Sequence, residues 1–232
     1  MTNKIAVATM TLDKPGNGEE MLEALSNLSK YKVFVSDGGS SKDFVNSLCK
    51  MGFFVESAFG LAAQHRNVFL RAGNYVGNGL VIYTEPDKKQ FFKEGLEKSI
   101  SDFNDNNLDF AVVSRRDEIL NTFPESYRLT EGAVNAYMAH VLGFEKFDGI
   151  YGPKLFRGDF AVKEISRKQA EKLQGWQTLM YLIARAHKTK LNISQLPYAA
   201  PFPESQRAEE NIEYRIKQAK DNLIGFQIGL EE

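Results

Sequence analysis

Two carboxylates, Glu85 and Asp87, stand two residues apart directly after the apolar run Leu80 to Tyr83. That run reads as a buried strand, and Pro86 ends it because proline has no N–H to give a ladder. In a parallel sheet, ligands bind in the crevice outside the carboxyl ends of the strands. Paired carboxylates there suit a hard divalent cation, which would itself grip phosphate oxygens. The same residues with Thr84 and Lys88 also make an ordinary solvated turn, and on local sequence the two readings stand level.

Other chemistry-bearing residues fall at comparable places. Asp37-Gly38-Gly39-Ser40-Ser41 follows the strand Lys32 to Ser36. Its Asp37 suits a ribose hydroxyl or a base N–H, and Gly38 and Gly39 would let a flat ring approach the backbone. As structure, Ser40 or Ser41 caps the next helix, and taken alone this turn favours the structural reading. Arg115 and Arg116 close the strand Leu108 to Val113 and form an anion clamp or a solvated pair. Lys154 and Arg157 lie in a Gly- and Pro-containing stretch from Phe147, read as a loop, from which both reach phosphate. His65 sits beside Arg66 near a helix start, within reach of phosphate or metal. His140 reads as structural, and His187 suits helix-end carbonyls. The metal-binding spacings of zinc sites, the phosphate loop of P-loop enzymes and the nucleophile elbow of serine hydrolases are all missing from the sequence.

The elements that must position these groups alternate. Strands are expected at Ile5–Thr9, Lys32–Ser36, Phe53–Ser57, Leu80–Tyr83, Leu108–Val113 and Leu191–Leu196. Helices are expected at Glu19–Leu28, Asp43–Met51, Leu61–Gly73, Lys89–Ser101, Thr130–Leu142, Trp176–His187 and Glu204–Leu223. Met10 to Gly18 reads as a mobile loop, and Pro197, Pro201 and Pro203 as an extended segment. Strand, loop and helix in this order give an α/β fold with a mostly parallel central sheet flanked by helices. Ile212, Ile216, Ala219 and Leu223 form a stripe read as core packing, with a homodimer seam as the alternative.

The 232 residues carry a formal net charge of −1. That balance offers no electrostatic case for nucleic acid or a membrane surface. No apolar run approaches a transmembrane length, and no leader pattern opens the chain. Cys49, the sole cysteine, excludes an internal disulfide and fits a reducing compartment, so the expected location is cytoplasmic.

In order and spacing the motifs resemble a GT-A-fold glycosyltransferase, closest to soluble catalytic domains of the dolichyl-phosphate-mannose synthase kind. The resemblance runs from about Ile5 to Pro197. Asp37 to Ser41 resembles the family's Asp-x-Gly-Ser-x turn, and Gln64-His65-Arg66-Asn67 its Ala-Arg-Asn helix start. Glu85-Pro86-Asp87 stands where the family has Asp-x-Asp. Val113-Ser114-Arg115 is similar to its Gly-Ser-Arg strand end. Asp148, Gly152, Lys154 and Arg157 match its Asp-x-x-x-Gly-x-Arg-x-x-Arg loop, with Lys for the first Arg. This implies a single GT-A (Rossmann-like) domain over residues 1–232, with a nucleotide-binding half (1–115) and an acceptor half ending in a helix (116–232). It implies a nucleotide-diphosphate sugar as donor and an acceptor of unknown kind. Thr9, Asp37, Gly38, Arg66, Arg115, Lys154 and Arg157 would contact nucleotide and diphosphate. Glu85 and Asp87 would hold Mn²⁺ or Mg²⁺.

The chain departs from the pattern at the acceptor side. Gln177 and Leu179 stand where inverting members place acidic residues, and neither takes a proton at neutral pH. Three expectations follow. Asp148 or Asp159 acts as base; or configuration is retained and the leaving phosphate takes the proton; or the protein binds a nucleotide sugar without turnover. A nucleotidyltransferase ranks lower, because Met10 to Gly18 contains no arginine.

Overall fold

The structure is a computed structural model that describes residues 4–12, 18–198, 202 and 211–232. Seven strands form one sheet: β1 (Ile5–Thr11), β2 (Lys32–Asp37), β3 (Phe54–Ser57), β4 (Leu80–Tyr83), β5 (Phe110–Ser114), β6 (Lys154–Arg157) and β7 (Ile193–Pro197). Their order is β3-β2-β1-β4-β6-β5-β7. All pairings are parallel except the two that β6 makes with β4 and β5. The helices are α1 (Gly18–Ser26), α2 (Lys42–Lys50), α3 (Leu61–Val76), α4 (Leu96–Asp105), α5 (Asp117–Leu120), α6 (Glu125–Leu142), α7 (Gly158–Ile165), α8 (Gln177–Lys188) and α9 (Ile212–Glu231).

The central strands alternate between two cores, as a sheet covered on both faces requires. Val81 and Tyr83 of β4 and Phe110 and Val112 of β5 face the core built with α3, α6, α7, α8 and α9. Leu80, Ile82, Ala111 and Val113 face the other, built with α1, α2 and α4. The α/β expectation therefore holds, with the strands close to their expected bounds.

The differences have local causes. β6 was expected to be loop because Gly149, Gly152 and Pro153 precede it and only four residues pair. Leu155 and Phe156 nevertheless point into opposite cores and are fully buried. α7 follows it at once and was not anticipated. The helix expected from Lys89 opens with a π-helical turn, Phe91–Gly95, which buries Phe91 and Phe92 together. β1 runs to Thr11, into the expected loop, because Thr11 pairs with Asp37. Lys14, Pro15, Gly16, Pro201, Pro203 and the expected start of the last helix lie outside the described residues. Of the α9 stripe, Ile212 and Ile216 are exposed, while Ala219 and Leu223 pack on the core. Among the described residues no helix is long and apolar enough to cross a membrane.

Candidate active site

The site opens where β4 ends. Thr84 stays bonded to β1 through its N–H and the Ala8 carbonyl (3.1 Å). The chain then turns through Glu85, Pro86 and Asp87, and the Lys88 N–H returns to the Glu85 carbonyl (3.3 Å). The Glu85 carboxylate lies against Gly152, where an added Cβ would come within 1.9 Å of Glu85 Oε2. Gly152 is thus required by close approach rather than by a turn. Lys88 Nζ lies 2.6 Å from Asp87 Oδ2 and 3.3 Å from Glu85 Oε2. Burial alone would lower the Lys88 pKa, but Asp87 and Glu85 carry it well above the ordinary lysine value. A cavity of about 610 Å³ opens over this turn. Glu85, Asp87, Lys88, Arg115, Trp176 and Arg215 are among the residues on its walls.

Beneath the cavity is a fixed polar network. Arg115 donates to Asp148 from its backbone N–H, Nε and Nη2, and Nη2 also reaches Glu131 Oε2 at 2.6 Å. Its guanidinium stacks on Phe123 and Tyr151, with centroids 4.6 and 5.3 Å away. Asp148 also accepts from Asn135 Nδ2 (2.9 Å), and its own N–H donates to Gln195 Oε1 (2.9 Å). Burial raises the Glu131 pKa, and Arg115 opposes that rise. Lys154 is fully buried and donates to the carbonyls of Tyr151 and Gly152. Burial lowers its pKa to about 8, against the pull of Glu85 and Asp148. Lys154 thus props the segment that covers Glu85 and does not reach solvent, contrary to the phosphate contact expected of it.

The antiparallel course of β6 separates residues that the sequence suggested would meet. Lys154 pairs with Tyr83, at the carboxyl end of β4, but Arg157 pairs with Leu80, at its amino end. Arg157 stacks on Phe103, with Cζ 4.9 Å from the ring centroid. Asp159 accepts from the Phe160 N–H (2.8 Å) in the first turn of α7. Arg157 and Asp159 border a separate cavity with Asn78, Asp109 and Lys163. They cannot act at Glu85 and Asp87, which corrects both assignments.

The first half of the expected nucleotide site is also largely committed to structure. Asp37 Oδ1 accepts from Thr11 Oγ1 (3.0 Å) and from Ser40 Oγ. Its Oδ2 accepts from the N–H groups of Gly39 (3.0 Å) and Ser40 (2.9 Å). Asp37 is therefore a buried turn-former, and Thr9 is fully buried in β1. Gln64 Nε2 ties the Thr11 and Ser36 carbonyls together (3.1 and 2.9 Å) and closes the space beside Gly38. Arg66 is half-buried near the start of α3, and its side chain forms no hydrogen bond or ion pair among the described residues. Asp37 and Asp87 stand at the same edge of the sheet, but Asp37 and Arg66 are not on the walls of the cavity over Glu85. His65 is buried, with Nε2 3.1 Å from the Tyr83 hydroxyl. Burial, aided by Lys154, lowers its pKa to about 3, so it is a neutral core residue and not a phosphate or metal contact. His140 is exposed on α6.

The opposite wall comes from α9, which sequence periodicity marked only as an amphipathic helix. Two glycines let it lie on α8: added Cβ atoms would meet the Gln177 carbonyl at 2.2 Å from Gly225 and the Tyr181 carbonyl at 2.7 Å from Gly229. Asn211 caps α9 by accepting from the Tyr214 N–H (3.0 Å). The Tyr214 hydroxyl accepts from Trp176 Nε1 (3.1 Å). Arg215 Cζ sits 3.5 Å from the Tyr127 centroid, and Nη1 donates to Gln218 (2.7 Å). Its buried Nε has no acceptor among the described residues. Burial lowers the Arg215 pKa to about 10, with Glu85 pulling the other way. Gln177 and Leu179 are buried, and Gln177 Oε1 accepts from the Gln174 N–H (2.9 Å). The position expected to be acidic thus supports the α8–α9 contact.

Glu85 and Asp87 can hold a divalent ion only as a pair, since no cluster of three His, Cys, Asp or Glu exists among the described residues. That suits an ion whose remaining ligands are phosphate oxygens and water, the usual habit of Mg²⁺ at nucleotide sites.

No protein-family model and no curated protein sequence matches the chain. Solved structures do. Glucosyl-3-phosphoglycerate synthase from Mycobacterium tuberculosis superposes with a TM-score of 0.65 at 12% identity, covering 99% of this chain and 81% of that one. The same enzyme solved with Mn²⁺, UDP-glucose and phosphoglyceric acid gives 0.66 at 13% identity, covering 99% and 80%. A further mycobacterial protein gives 0.61 at 13%, covering 97% and 75%. These are not the dolichyl-phosphate-mannose synthases whose motifs the sequence resembles. What the chain shares with them is its architecture, and its fold is the GT-A glycosyltransferase fold.

Proposed function

We propose that this protein transfers a sugar from a nucleotide-diphosphate donor, with a divalent cation, to an acceptor that carries an anionic group. The carrying observation is the pair Glu85 and Asp87 at the carboxyl end of β4, open to a cavity of about 610 Å³ in a GT-A fold. Glu85 and Asp87 would hold Mn²⁺ or Mg²⁺, whose contribution is to neutralise charge on the departing diphosphate. Arg66, at the same edge and without a side-chain partner among the described residues, is the protein cation best suited to the donor phosphates.

The acceptor side is α9 and its neighbours. Arg215 lies on the cavity wall, and its guanidinium would meet a carboxylate or phosphate on the incoming molecule. The similar M. tuberculosis enzyme was solved with phosphoglyceric acid, which has both groups. Trp176, fixed by Tyr214, offers a face for a sugar ring. Asp148 is held by Arg115 and Asn135, and Asp159 is at the other edge, so neither suits the base. Glu131 is tied to Arg115. We therefore favour retention of configuration, in which the leaving phosphate takes the acceptor proton. In this reading residues 116–232 would supply the acceptor wall. A cytoplasmic setting fits the exposed thiol of Cys49. A homodimer seam would fall on exposed Ile212 and Ile216.

The test is thermal: UDP or GDP with Mn²⁺ raises Tm, and Asp87→Asn abolishes the rise. No shift with any common nucleoside diphosphate plus Mn²⁺ or Mg²⁺ overturns the proposal. The absence of an acid at positions 177 and 179, which hold Gln177 and Leu179, favours a second reading, a nucleotide-sugar binder without turnover. Multiple-turnover transfer from UDP-glucose to phosphoglycerate or another anionic alcohol excludes it.

A further inference from the structure

The two carboxylates expected to hold a metal ion already share a cation. Lys88 Nζ contacts both, at 2.6 Å from Asp87 and 3.3 Å from Glu85. Its third neighbour is the face of Tyr151, 5.8 Å away. Other cations at and beneath the cavity have their own partners, and Lys89 pairs with Glu23 (2.5 Å). Lys154 donates to the Tyr151 and Gly152 carbonyls, Arg115 is held by Asp148 and Glu131, and Arg215 rests on Tyr127 and Gln218. Among the described residues, Lys88 is therefore the cation in direct contact with both carboxylates.

A divalent ion of this kind needs its oxygen ligands at about 2.1 Å. An ion held by Asp87 Oδ2 and Glu85 Oε2 would take the seat that the Lys88 ammonium fills, and two cations would not share it. Lys88 has the reach to leave, because its stem is flexible and its side chain is not wholly buried. Once displaced, the ammonium needs an anion close by, and a nucleotide diphosphate brought in with the ion provides one.

We propose that Lys88 is a displaceable internal cation: it occupies the Glu85–Asp87 seat in the metal-free protein and yields it when metal and nucleotide diphosphate enter together. This rests on the donor reading above. Its consequence is linkage. Mn²⁺ alone competes with Lys88 and binds weakly, and the diphosphate strengthens Mn²⁺ binding because it gives Lys88 a new partner. Preformed neutralisation also keeps two adjacent carboxylates compatible with a folded, half-buried turn in the absence of metal.

The experiment is titration of Mn²⁺, with free ion read by electron paramagnetic resonance, in wild type, Lys88→Met and Lys88→Arg, with and without UDP or GDP. Lys88→Met is expected to bind Mn²⁺ alone about tenfold more tightly than wild type, the effect of a close charge contact of the smaller measured size. The strengthening of Mn²⁺ binding by the diphosphate should shrink in the same variant. Lys88→Arg keeps the charge and is expected to keep Mn²⁺ alone weak. If Lys88→Met does not fold, Lys88→Gln serves in its place. Unchanged or weaker Mn²⁺ binding in the neutral variant, with diphosphate and Mn²⁺ still binding wild type, overturns this inference and leaves the donor reading intact. Failure of wild type to bind diphosphate and Mn²⁺ at all overturns the donor reading first.

Discussion

The Arg115 guanidinium grips Asp148 at two points, Nε to Oδ2 at 2.8 Å and Nη2 to Oδ1 at 2.6 Å. A carboxylate so held is a structural anion, and the arginine beneath the cavity is not free to clamp phosphate. Asp148→Asn leaves a buried arginine with Glu131 as its only ionic partner. The expected cost is about 3 kcal/mol of stability, measured by urea unfolding. Among molecules that remain folded, kcat should fall far less than the hundredfold or more, roughly, that loss of a general base entails. A kcat loss of that size in folded protein would restore Asp148 as the base.

Gly152→Ala tests the proposed metal-binding role of Glu85 apart from the stability of the fold. The new methyl would meet Glu85 Oε2 at 1.9 Å, and that oxygen is the end of a side chain that can rotate away. Stability should therefore fall by no more than about 1 kcal/mol. Mn²⁺–diphosphate binding should weaken roughly tenfold or more, because one carboxylate has left the pair. Calorimetric titration checks it, and unaltered binding would remove Glu85 from the ligand set.

Much of this fold was legible because buried parallel strands leave continuous apolar runs. Leu80 to Tyr83 has the bounds expected of it, and the Glu85 and Asp87 turn lies where its Pro86 demanded. β6 left no such trace, being four residues long and preceded by Gly149, Gly152 and Pro153. Its reversed direction then carried Arg157 and Asp159 to the far edge of the sheet. A motif in one dimension does not encode that reversal. Asp37 illustrates a different limit. Its position at a strand end was correct, but Thr11, Gly39 and Ser40 satisfy the carboxylate, and only β1 pairing reveals Thr11 as its partner. Arg215 was invisible because a single cation on an amphipathic helix carries no distinguishing spacing. Its place over the cavity depends on Gly225 and Gly229 bringing α9 onto α8.

His65 should give this protein an acid-sensitive core. Its folded pKa of about 3 lies below the ordinary 6.5, because burial disfavours the imidazolium. Between those values the unfolded chain binds a proton that the folded one refuses. Stability therefore rises with pH across that window and is level with respect to this group above it. His65→Gln removes the titration while keeping a polar group near Tyr83. Between pH 7 and pH 4.5 the wild type should lose roughly 2 kcal/mol more than the variant. Parallel loss in both proteins would show that His65 is not the source.

Arg215 offers the sharpest division between donor and acceptor. It lies on the cavity wall, and its guanidinium is held in place by Tyr127 and Gln218. An anionic acceptor group bonded there would gain a charge-assisted contact worth about 1.5–3 kcal/mol. Arg215→Met keeps much of the side-chain volume and removes that contact. The acceptor KM should rise about tenfold to a hundredfold, with a smaller change in kcat. The Tm shift given by diphosphate and Mn²⁺ should stay as in wild type, because Glu85, Asp87 and Arg66 are untouched. Arg215→Lys should recover part of the loss, since it restores charge without the planar fork. An unchanged acceptor KM, or a loss confined to donor binding, would place the anionic group of the acceptor elsewhere on the cavity wall.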